Sequence, residues 1–185
     1  GLELTRRSVV TTTWGEWRRR HPDTTVLSLD TGYQRDYSEG AAYRDYFATD
    51  RLMFQVQASD DRLANKAEVV VMLLDDPAGG DRHPVALSVA LLAQRRIFQA
   101  EVAGQAFVVV TSRFGASRVY DSTGRRFDRW ADDSRVFDDE GRTWLVAEGE
   151  LVSEEDPTVR LARLPAHRAF WFGWYAQFAR TVLFQ

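Results

Sequence analysis

The chain has 185 residues, enough for one domain or two small ones around a real hydrophobic core. A hydrophobic share of 44% and an aromatic share of 12% exclude a disordered chain, because that much apolar surface offsets the entropy lost on folding. Net charge is only -3, and no basic tract is present to neutralise a phosphate backbone, so nucleic acid is not expected as a partner.

In chain order, Thr13 and Glu16 have capping-box spacing, and Arg18, Arg19 and Arg20 follow where cations oppose a helix dipole, with Pro22 as a stop. A β-rich run, Thr24-Thr25-Val26-Leu27, comes next. Asp30-Thr31-Gly32-Tyr33 carries turn chemistry and opens a segment crowded with Tyr33, Tyr37, Tyr43, Tyr46 and Phe47 among Arg and Asp. Glu68 to Leu74 is a continuous apolar run that reads as a central strand. Pro77-Ala78-Gly79-Gly80 reads as a turn, and Val85 to Ala93 as a strand end with a short helix. Ile97 to Val102 and Gln105 to Thr111, joined by Ala103-Gly104, read as a hairpin. Short strands are expected at Arg118 to Asp121, Arg125 to Asp128, Ser134 to Phe137 and Thr143 to Ala147. The last helix is expected to begin near Pro165 and to present Trp171, Trp174, Tyr175 and Phe178 on one buried face.

The chain also resembles itself. Leu4 to Ser28 lies over Leu161 to Gln185 without a gap, matching Leu4, Arg6, Trp14, Trp17 and Thr24 to Leu161, Arg163, Trp171, Trp174 and Thr181. Each copy reads as an apolar start, a Trp-x-x-Trp helix, a turn and a β-rich run. The expected class is therefore α+β: a β-rich meander or small barrel with two equivalent Trp-x-x-Trp helices from an internal repeat. Residues 1–28 read as the tail of a truncated first repeat, 29–66 as a Tyr-rich inter-repeat segment, and 67–185 as the second repeat unit. The front of the first unit is then expected in an N-terminal stretch of a longer polypeptide or in a partner chain.

Trp14-Gly15-Glu16-Trp17, His21-Pro22-Asp23-Thr24, Leu27 to Tyr33 and Ala169 to Trp174 resemble the C-terminal part of a bacterial and archaeal family, domain of unknown function 3179. The resemblance implies a longer polypeptide whose N-terminal repeat carries a Cys-Pro-x-Cys motif on a strand with a His nearby. Here the equivalent strand end, Val110 to Gly115, holds no sulfur. It also implies an extracytoplasmic setting, and it carries no assigned activity.

Absence of cysteine removes disulfides, thiol chemistry and Cys-based zinc sites from these residues. Lys66, the single lysine, is the one candidate for Schiff-base chemistry. His21, His83 and His167 are widely spaced, so no metal site is expected, and the counterpart of His21 in the second copy is Phe178. His167 is placed in the first turn of the last helix. Paired acids such as Asp75-Asp76, Asp132-Asp133 and Asp138-Asp139 sit in turn-like contexts and read as solvated loops. Fingerprints for phosphates, dinucleotides or a serine nucleophile are missing, and no membrane span or cofactor is expected. Trp14, Trp17, Trp171 and Trp174 read as core anchors. The segment from Asp30 to Tyr46 keeps a functional reading, with Asp30, Tyr33, Arg35 and Tyr37 as the candidate cluster for a small polar ligand. The function expected is a non-catalytic binding or assembly module of a larger two-repeat protein. The alternative is part of a thiol-redox or metal-dependent enzyme whose Cys-x-x-Cys lies in the absent copy.

Overall fold

The computed structural model describes residues 5–76 and 79–185, so Leu4 of the repeat alignment and Pro77-Ala78 of the expected turn lie outside the described residues. Three sheets stack in layers. In the first, β1 (Glu68–Leu74) lies between β11 (Ala166–Phe170) and β2 (His83–Ser88), antiparallel to both, and β12 (Val182–Phe184) adds to β2 in parallel. The second is antiparallel: β3 (Ile97–Val102), β4 (Gln105–Thr111) and β5 (Ser117–Asp121). The third is a five-stranded meander of β6 (Phe127–Trp130), β7 (Arg135–Asp138), β8 (Thr143–Val146), β9 (Glu150–Ser153) and β10 (Arg160–Ala162). Helices are short: α1 (Trp14–Arg20), α2 (Arg44–Phe47) after a 3-10 turn at Ala41–Tyr43, α3 (Val89–Gln94) and α4 (Trp171–Tyr175).

The period-2 geometry of a strand explains the layering. Val70, Met72 and Leu74 of β1 face Phe107 and Val109 of β4, whereas Val69 and Val71 face Trp171, Trp174 and Tyr175. Val108 and Val110 of β4 turn instead to Phe127, Val136 and Trp144 of the third sheet. Strands covered on both faces carry no polar alternation, which is why β1 and β4 read as unbroken apolar runs. The β3–β4 hairpin turns at Ala103 and Gly104, both at positive φ (52° and 79°), the geometry a two-residue hairpin turn uses to match strand twist.

Of the two expected forms, meander or small barrel, the meander is present in the third sheet and no closed barrel is found among the described residues. The chain is β-rich α+β with open sheets and few helices, since face-to-face layering covers the apolar faces without closure. The last helix is also shorter than expected: residues 166–170 pair with β1 as β11, and helix starts only at Trp171. A strand partner thus overrides the first-turn preference of Pro165, and His167 lies on an exposed strand position. No helix among the described residues is long and apolar enough to cross a membrane.

Candidate functional site

Asp30, Tyr33, Arg35 and Tyr37 all lie on exposed irregular backbone, with Tyr33 76% exposed. Tyr37 shares a hydrogen bond with the Thr31 hydroxyl at 2.8 Å, and the Tyr33 amide donates to the same hydroxyl. Among the described residues, no hydrogen bond joins any of these four to another of the four. Lys66 is tied down locally: its ammonium donates to the carbonyls of Tyr46 and Thr49 and lies 3.8 Å from the Tyr46 ring centre. The Asp50 carboxylate accepts the Lys66 and Asn65 amides, and those bonds lower its pKa. No group of three or more His, Asp or Glu suited to a metal occurs among the described residues.

The two tryptophan helices make matching contacts. Trp17 Nε1 donates to Thr24 Oγ1 at 2.9 Å, and Trp174 Nε1 donates to Thr181 Oγ1 at 2.8 Å. His21 packs on Trp17 with ring centres 4.0 Å apart, and Phe178 packs on Trp174 at 4.4 Å. The His21 and Phe178 amides donate to the Trp17 and Trp174 carbonyls at 2.8 and 2.9 Å. Thr24 and Thr181 then donate back to His21 and Phe178 at 3.1 and 3.0 Å. His21 Nε2 is buried without a partner, as expected where a phenyl ring does the same packing.

What surrounds the two tryptophan helices differs. Val182–Phe184 is β12, and Phe184 packs on Phe98 and Phe107. Thr25–Leu27 forms no strand, and Leu27 is 96% exposed. Trp171 is fully buried, whereas Trp14 is 48% exposed and is no core anchor. Beside α4 a groove of about 540 Å³ opens between Arg6, Ala169, Phe172, Gly173, Trp174 and Phe178.

On the other side α1 is seated firmly. Thr13 caps it by accepting the Glu16 amide, but the Glu16 carboxylate does not complete the capping box. It accepts instead from Thr12 Oγ1 at 2.8 Å and from Ser112 Oγ, in the turn after β4, at 2.9 Å. Glu16 is 4% exposed. Its burial depends on a residue far along the chain, so sequence spacing had no means of showing it. Nearby, Glu148 gathers Arg118 at 2.6 Å, Arg163 at 3.6 Å and Arg20 of α1 at 3.7 Å. Partial burial pushes its pKa up, but the Arg118 bond and the three guanidinium charges outweigh that and lower it. Burial pushes the neighbouring Tyr120 phenol up to about 12, and its hydroxyl donates to the Ala147 carbonyl.

A family model described as a protein of unknown function (DUF3179) matches residues 1–181, so the match takes in both tryptophan helices. No curated protein and no solved structure matches the chain.

Proposed function

We propose that this chain, which belongs to that family of proteins of unknown function, is a non-catalytic binding or assembly module of a larger two-repeat protein. The observation that carries the reading is the pair of Trp-to-Thr indole bonds, each spanning seven residues and each followed by the same backbone pattern. Equivalent units should have equivalent neighbours. α4 and β12 lie on a hairpin, β1–β2, and β12 pairs with β2 in parallel. α1 and Thr25–Leu27 have no such hairpin among the described residues, and their β-rich run stays exposed.

The converse contact supports the same symmetry. α1 rests on the turn after β4 through Glu16 and Ser112. Gly173 is the counterpart of Glu16, and it opens on the 540 Å³ groove. The missing partner therefore supplies two pieces: a β1–β2-like hairpin for Thr25–Leu27, and a Ser112-like turn for the groove beside α4. Both would come from an N-terminal repeat of the natural polypeptide or from a partner chain.

Limited chymotrypsin digestion tests this. Cleavage after Leu27 is expected to be fast in the 185-residue chain and blocked in the native gene product isolated with its partners. Equal cleavage in both would overturn the reading. A titratable thiol pair or bound metal in that native product would favour the enzyme alternative instead.

A further inference from the structure

A cleft of about 260 Å³ lies between α1, the turn after β4 and the turn before β7. Four guanidinium groups line it: Arg19, Arg20, Arg96 and Arg113. Two of them are committed. Arg20 lies 3.6 Å from Glu16 and 3.7 Å from Glu148, and Arg113 lies 2.7 Å from Asp133. The other two have no carboxylate partner among the described residues. Arg96 uses Nε on the Thr111 carbonyl at 3.2 Å, which leaves its terminal nitrogens as donors. Arg19 sits over the Phe114 ring at 4.4 Å, with Arg113 at 4.8 Å from the same ring centre. Guanidinium groups stacked on a ring keep their edges free to donate.

We propose that this cleft binds a small molecule bearing an oxyanion, either a carboxylate or a phosphate. Arg19 and Arg96 supply the fork-shaped donors, and the Phe114 ring holds the Arg19 guanidinium in place. Glu16 leaves Arg19 and Arg96 to that anion: its carboxylate takes the Thr12 and Ser112 hydroxyls, with Arg20 3.6 Å away, and holds α1 against the turn. Against Glu16 and Asp133 the four arginines leave the lining net positive, which suits an anionic guest. The volume is near the low end for small-molecule sites, which excludes a large ligand.

Inorganic phosphate and benzoate, each titrated at constant ionic strength while the arginine Nε–H signals are followed by NMR, separate the two oxyanion sources. The expected result is saturable movement of the Arg19 and Arg96 signals with at least one probe. Arg19→Gln and Arg96→Gln are each expected to weaken that binding about tenfold. Asp133→Asn releases Arg113 and should tighten it. Arg18→Gln, on the exposed side of the same helix, should change nothing. Arg19 is exposed, so its variant keeps the test valid if Arg96→Gln unfolds. No saturation with either probe, or equal losses from Arg18→Gln and Arg19→Gln, would overturn the proposal. All these measurements use this chain alone, so their failure leaves the two-repeat reading standing.

Discussion

Around α4, Trp171 is fully buried and Trp174 nearly so, with the following residues drawn into a sheet as β12. Around α1, the same indole-to-threonine bond and the same aromatic stack are present, yet Trp14 is half exposed and Leu27 stands in solvent. Local sequence is sufficient to build the Trp-turn-Thr unit, since both segments have it. Tertiary partners decide whether the strand after it forms, and only the segment after α4 has them among the described residues.

The largest separation between the two segments should come from Trp174→Ala and Trp17→Ala. Removing the buried Trp174 ring should cost about 3–5 kcal/mol in urea unfolding. Trp17, only partly covered, should cost about half of that or less. Equal losses would mean that α1 is as well packed as α4. The threonine pair comes next. Thr181→Val leaves the Trp174 indole N–H buried without an acceptor, at about 1–3 kcal/mol, whereas Thr24→Val should cost below about 1 kcal/mol because water reaches that site.

Acid should loosen the two ends at different pH. The folded pKa of Glu148 is lowered, so its contribution is fully present above its unfolded value and is lost as pH falls through the lower folded value. Arg20 ties α1 to Glu148, so the Trp17 indole NMR signal should shift below about pH 4 before that of Trp174 does. Glu148→Gln should bring that change to neutral pH at a cost of about 1–2 kcal/mol, since the half-exposed carboxylate is screened. The smallest effect should be His21→Phe. Its Nε2 is buried without a partner and Phe178 fills the matching place, so thermal unfolding should shift within about 0.5 kcal/mol of zero or slightly upward.

The central strand of the first sheet and much of the second and third sheets could be read from the sequence. Glu68 to Leu74, the Ala103-Gly104 hairpin and the short strands that follow carry their signals in apolar runs and turn residues. Closure into a barrel could not be read, because alternation shows that a face is buried without showing what buries it. Pro165 misled for a related reason: a first-turn residue is locally compatible with helix, but Ala166 to Phe170 gains more by pairing with β1. The arginine cleft was hidden most deeply. Arg18, Arg19 and Arg20 read as a helix end, which they are, while β3–β4 pairing brings Arg96 beside Ser112 and Arg113, and α1 joins them through the Glu16–Ser112 bond. The tyrosine segment stood out by composition, and the structure leaves Asp30, Tyr33, Arg35 and Tyr37 open to solvent without direct bonds to each other.

Amide hydrogen exchange at Thr25, Val26 and Leu27, compared between the 185-residue chain and the native gene product, tests the equivalence of the two units most directly. Slow exchange confined to the native product is the expected result, because a strand pairing like that of β12 on β2 would then hold those amides. Equally fast exchange in both would show that this run never joins a sheet, and the symmetry between α1 and α4 would end at the tryptophan–threonine bond.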